Sequence, residues 1–125
     1  MPDRPSTDAL VIAVQNPKGG CGKTTIAVNL ARAVQLDGFD VVVLDTDEQG
    51  SARDWRARSP SGYAGPRVER ATSAGKLGRL VERHAEGADA VVIDGSARLG
   101  KHTGAVVAVA DVLLIPVQPS ALDLW

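Results

Sequence analysis

At 125 residues the chain has room for one compact domain and hardly for two. Its 44% hydrophobic and 23% charged residues exclude disorder throughout, and a formal net charge of −1 supplies no global pull toward nucleic acid or anionic lipid. The single cysteine, Cys21, excludes an internal disulfide and a cysteine-rich zinc site, and aromatics at 3% leave the core to Val, Leu, Ile and Ala.

No apolar run reaches the roughly 20 residues that span a bilayer. The polar, proline-containing start over residues 1–8 lacks the make-up of a secretory signal. A cytoplasmic domain over residues 10–125, with no membrane partner, is expected behind a flexible tail at residues 1–9.

Leu10 to Val14, Val41 to Leu44 and Ala90 to Ile93 are continuous aliphatic runs rich in β-branched residues. A fourth, Val112 to Val117, is interrupted by Pro116. Unbroken rather than alternating apolarity predicts strands buried on both faces, as in a parallel sheet covered by helices. Between them, Lys23 to Asp37 sets Ile26, Ala27, Leu30, Ala31 and Val34 along one stripe, with Gly38 as a C-terminal stop. Ser51 to Arg58 predicts a shorter helix and Pro60 to Pro66 a loop. Lys76 to Ala85 carries Leu77, Leu80 and Val81 on one side, and His102 to Ala110 is a small-residue helix. The alternation of strand and helix predicts an α/β fold, a mostly parallel sheet flanked by helices in a single domain.

Pro17-Lys18-Gly19-Gly20-Cys21-Gly22-Lys23-Thr24-Thr25 follows the first predicted strand and opens the first helix. Glycines there let successive N–H groups point inward at phosphate oxygens, and the helix N-terminus adds partial positive charge. Lys23 is placed to reach terminal phosphates and the Thr24 hydroxyl to ligate Mg²⁺. Val41-Val42-Val43-Leu44-Asp45-Thr46-Asp47 sets two carboxylates where a buried strand meets its loop, the end of an open α/β sheet at which ligands gather. Ala90-Val91-Val92-Ile93-Asp94 ends in the carboxylate that holds Mg²⁺ through water in a Walker B strand.

Lys18-Gly19-Gly20-Cys21-Gly22-Lys23-Thr24-Thr25 resembles the deviant Walker A motif of the ParA/MinD family of ATPases, with Pro17 where a generic phosphate loop has glycine. Asp45, Asp47, Gln49 and Gly50 match the family's second acidic motif, Glu48 standing at its usual proline. Asp94-Gly95-Ser96-Ala97 and the segment from Ala110 to Ser120 resemble the small plasmid-partition branch. The resemblance covers nearly everything from Ile12 to Trp125 and implies a P-loop NTPase fold with ATP and Mg²⁺ as cofactors. It implies that Gly19, Gly20, Cys21, Gly22, Lys23, Thr24 and Thr25 bind the nucleotide, with Thr24, Asp45 and Asp94 at the metal. It further implies that Asp47 orients the attacking water, that Asp45 supports Mg²⁺ or the loop, and that Gly95 offers an N–H near the γ-phosphate. Lys18 would cross a dimer interface to the partner's phosphates.

The implied function is ATP-dependent DNA partition in a plasmid or chromosome segregation system. ATP closes a homodimer that binds DNA non-specifically, a centromere-binding ParB-type protein stimulates hydrolysis, and the protein is nucleoid-associated. Family members continue well beyond the Pro-Val-Gln-Pro-Ser segment, so the chain reads as truncated at its C-terminus. Two alternatives stand beside this: a non-hydrolysing nucleotide-binding or dimerisation module, and a MinD-like positioning ATPase. Arg53, Arg56, Arg58, Arg67 and Arg70 near Trp55 read either as a solvated face with the tryptophan packed beneath or as a contact to DNA backbone. His84 and His102 lack a third ligand at metal spacing. Tyr63 and Phe39 are expected to pack.

Overall fold

The computed structural model describes residues 9–15, 23–48, 50–60, 64–95 and 101–116. The elements in chain order are β1 (Leu10–Val14), α1 (Lys23–Leu36), β2 (Val41–Asp45), α2 (Ser51–Ala57), β3 (Arg67–Arg70), α3 (Ala74–Ala85), β4 (Ala90–Asp94), α4 (Lys101–Val109) and β5 (Val112–Leu114). They form one sheet of five parallel strands in the order β3-β2-β4-β1-β5, each strand separated from the next in sequence by a helix. Parallel neighbours need such crossovers, which is why strand and helix alternate along the chain.

The runs of β1, β2 and β4 are buried on both faces but for the exposed Leu10 and half-buried Ile12, and their two-residue period divides the core in two. Val11, Ala13, Val42, Leu44, Val91 and Ile93 pack with Leu77, Val81 and Ala85 of α3 and Val106 of α4. Val14, Val41, Val43, Ala90 and Val92 pack with Ala27, Val28 and Ala31 of α1 and Ala52 of α2. In α1 the buried line is thus Ala27, Val28 and Ala31, flanked by the half-buried Leu30 and Val34, while Ile26 is exposed. The small side chains let the helix lie close over β2 and β4.

Two sequence expectations need correction, and β3 was not foreseen, because Arg67-Val68-Glu69-Arg70 holds one apolar residue. It forms as an edge strand that, among the described residues, pairs only with β2, so its charged side chains need no burial. β5 is not buried on both faces: Val112, Leu113 and Leu114 are all exposed at the opposite edge, where the strand pairs with β1 alone among the described residues. Phe39 is also half exposed rather than packed, and Tyr63 lies outside the described residues. Among the described residues no helix is long and apolar enough to cross a membrane.

Candidate nucleotide site at the carboxyl edge of the sheet

Asp45, Asp94, Val14 and Leu114 are register partners across β2, β4, β1 and β5, so one row marks the carboxyl edge of the sheet. The ladder continues beyond the strands: Gln15 N–H donates to the Leu114 carbonyl (2.9 Å), Thr46 N–H to that of Asp94 (3.1 Å) and Ala71 N–H to that of Asp45 (2.8 Å). The Thr46 hydroxyl also donates to the Asp94 carbonyl at 2.8 Å, joining the ends of β2 and β4 twice. This edge is therefore a rigid base for loops.

Asp45 and Asp94 share the parity of Val43 and Val92, so both project toward the face that carries α1 and α2. Both are buried, Asp45 at 0% and Asp94 at 1% exposure. A carboxylate so enclosed must be hydrogen-bonded, and the two find partners on different helices. Asp94 Oδ2 accepts the Thr24 hydroxyl at 2.8 Å, from the first turn of α1. Asp45 instead serves α2 and its approach. Its Oδ1 accepts Asp47 N–H at 3.0 Å, while its Oδ2 accepts both the backbone N–H and the Nε–H of Arg53 at 3.2 Å. Gly50, the residue before α2, has no side chain to cap the helix, so the strand-end carboxylate takes that part from a distance. Of the two roles open to Asp45, these bonds are those of loop support. Asp47 lies beyond the strand end and is half-buried, with its backbone held on either side by Asp45 and Gly50.

Gly95 departs from expectation. Its N–H donates to the Val14 carbonyl at 2.9 Å and is not available to a phosphate in this arrangement. A Cβ there would stand 2.8 Å from that carbonyl and would strike the Gln15 side-chain amide, so glycine is what lets β4 close on β1. Lys18, Gly19, Gly20, Cys21 and Gly22 lie outside the described residues, as does Gln49. Lys23 opens α1 and Thr25 follows exposed in its first turn.

Among the described residues no group of three or more His, Cys, Asp or Glu could hold a metal unaided. The Thr24 hydroxyl and Asp94 carboxylate are nevertheless oxygen donors of the kind Mg²⁺ takes, and that ion usually completes its shell with water and phosphate oxygens. The donor set fits Mg²⁺ held together with a phosphate at the head of α1.

The arginines divide. Arg53 turns inward to Asp45, whereas Arg56 is half-buried on α2, Arg58 is exposed just past its end, and Arg67 and Arg70 lie exposed on β3. Trp55 is half-buried against the α1-side core, as the packing alternative has it. The His84 imidazole is held below its ordinary 6.5 mainly by burial; Arg67 and Arg83 push the same way and Glu69 opposes them. Sequence reasoning missed Arg53 as a site residue; its signal was a spacing of three beyond Gly50, the third position of the following helix.

A family model described as the CobQ/CobB/MinD/ParA nucleotide binding domain matches residues 12–115. Maintenance of carboxysome distribution protein A of Gloeobacter kilaueensis is 41% identical over 117 residues, covering 91% of this chain and 51% of its own. The chain spans about half the length of the relatives it matches. Cobyrinic acid a,c-diamide synthase from Mycobacterium smegmatis, solved with bound ATP analogue and magnesium, superposes with a TM-score of 0.77 at 22% identity, over 91% of this chain and 62% of that one. The structure of pNOB8 ParA bound to nonspecific DNA gives 0.73 at 20% identity, over 92% and 55%. These structural likenesses show the fold, a sheet of parallel strands flanked by helices. By its sequence match over residues 12–115 the chain belongs to the CobQ/CobB/MinD/ParA nucleotide-binding domain family.

Proposed function

We propose that residues 10–125 form the nucleotide-binding part of a ParA/MinD-type partition ATPase that binds and hydrolyses ATP with Mg²⁺ and works as a nucleotide-switched homodimer. The observation that carries this reading is the 2.8 Å bond between the Thr24 hydroxyl and buried Asp94 at the head of α1. It joins the end of the phosphate-loop motif to the acidic end of the neighbouring strand. A turn shaped only by its glycines would not require that pairing.

In this account the loop amides from Gly19 to Thr25 and the Lys23 ammonium hold the phosphates. Thr24 and Asp94 hold Mg²⁺, which when bound neutralises phosphate charge. Asp45 is left out of the metal shell, because its oxygens are engaged by Asp47 and Arg53. Asp47 orients the attacking water, and Lys18 supplies positive charge across the dimer, much as an arginine finger does.

The cargo is read as DNA, reached by a nucleoid-associated dimer and regulated by a ParB-type partner; support comes from the fold shared with a ParA bound to nonspecific DNA. A second reading, positioning of a protein-bounded cargo, is favoured by the 41% identity to a carboxysome-distribution protein. Turnover of ATP, together with sedimentation in ADP and in a slowly hydrolysed ATP analogue, tests the common part. An ATP-dependent dimer with turnover supports the switch; binding without turnover leaves a non-hydrolysing module. A coding sequence for a small DNA-binding protein beside this one would favour DNA over the protein-bounded cargo.

A further inference from the structure

The segment between β2 and α2 is held by one side chain from the helix it leads into. Arg53 donates through Nε to Asp45 Oδ2 (3.2 Å) and through Nη2 to the Asp47 carbonyl (3.0 Å), while its own N–H also reaches Asp45 Oδ2 (3.2 Å). The guanidinium thus ties the buried last residue of β2 to the backbone of Asp47, two residues on. A planar fork with fixed donor directions suits this, because two acceptors in different directions are met at once.

The backbone is shaped to admit it. Gly50 has φ +72°, and a Cβ at that position would stand 2.9 Å from Arg53 Nη2 and 3.2 Å from Cζ. Gly50 N–H also donates to the Asp47 carbonyl at 3.0 Å, so that oxygen is held by the turn and by the arginine together. Asp45 is wholly buried, and Arg53 is its ion-pair partner. The cation therefore cannot leave cheaply, because it would strand a buried carboxylate.

We propose that Arg53 is a positioning residue for hydrolysis, a latch that fixes the backbone of Asp47 by bridging Asp45 and the Asp47 carbonyl. The proposal rests on the reading of Asp47 as the water-orienting group. Arg53 touches neither phosphate nor water in this account; it acts through the segment that carries Asp47. Its loss should therefore appear in turnover and not in nucleotide affinity, since misplacing a reacting group by about 1 Å can cost roughly 100-fold in rate.

The test compares wild type with Arg53→Lys and Arg53→Met, measuring ADP affinity, kcat and KM, and hydrogen exchange at the amides of residues 46–48 with ADP bound. Because Arg53→Met leaves Asp45 charged without its partner, the double variant Asp45→Asn/Arg53→Met is included as a form without that cost. The expected result is ADP affinity within about threefold of wild type and kcat lower by roughly 10- to 100-fold in Arg53→Met. Exchange at residues 46–48 should rise while α1 is unchanged. Lysine should recover part of kcat, since it restores the charge but only one direction of donation. Unchanged exchange in the folded methionine forms overturns the latch, whether or not wild type turns over ATP. Faster exchange with unchanged kcat overturns the positioning role, and an equal fall in kcat and ADP affinity makes Arg53 merely structural. Wild type with no turnover at all would reject the hydrolytic reading itself, and the exchange data would still decide the latch.

Discussion

Asp94 and Asp45 end neighbouring strands in register but meet different helices, and in the proposed reading that difference separates chemistry from support. Asp94 meets a hydroxyl at the start of α1, and Asp45 meets the amide and guanidinium of Arg53 at the start of α2. Asp45→Ala should accordingly weaken the fold by about 1–3 kcal/mol, because the Asp47 and Arg53 amides lose their acceptor while the part-exposed guanidinium turns to water, with little change in the Mg²⁺ requirement of nucleotide binding. Urea denaturation and ATP titration of the same variant check both halves. Asp47→Ala should keep most nucleotide affinity and lose turnover, because orientation of water matters mainly in the transition state. Turnover surviving in Asp47→Ala but not in Asp45→Ala would exchange the two roles. Gly95→Ala should cost about 1–3 kcal/mol through the forced contact with the Val14 carbonyl and Gln15, read as a lower urea midpoint at unchanged slope.

The elements were legible wherever the core needed them. β1, β2 and β4 are unbroken aliphatic runs because both of their faces are covered, and α3 shows its stripe because Leu77 and Val81 insert under it. Leu77→Ala should cost about 2–5 kcal/mol, and Leu113→Ala, on the exposed edge strand, clearly less. What could not be read was set by the edges. β3 owes its form to backbone pairing with β2, so its charged side chains carry no period. The apolarity of β5, taken alone, gave no sign that its faces are open. The candidate site was legible as residue types at the carboxyl ends of two strands. The different hydrogen-bond partners of Asp45 and Asp94 were not, because they depend on which helix start each carboxylate meets. α3 also carries a small pH effect. His84 takes up its proton less readily in the folded chain than at its unfolded value of 6.5, so the unfolded chain binds more protons just below that value. Stability is then complete above 6.5 and falls as pH drops through the window between 6.5 and the lower folded value. His84→Gln should flatten that slope in urea titrations between neutral and mildly acid pH.

At the scale of the whole molecule, the sheet fixes where chemistry can occur and the loops decide which chemistry it is. A parallel sheet with covered faces leaves its carboxyl edge as the open border, and α1, α2 and the acidic strand ends converge there. If Lys18 acts across a dimer, Lys18→Ala should leave ADP binding nearly intact and abolish both ATP-dependent dimerisation and turnover. Sedimentation in the two nucleotides would reject the trans-acting lysine if the variant dimerised and turned over as wild type does. The central claim is that ATP binds at the head of α1 through Mg²⁺ held by Thr24 and Asp94. It is tested most directly by calorimetric titration of ATP into wild type and folded Asp94→Ala, each with and without Mg²⁺. The account predicts that Mg²⁺ strengthens ATP binding to wild type and that the strengthening disappears in Asp94→Ala. An Asp94→Ala chain that bound ATP with the full wild-type response to Mg²⁺ would contradict it.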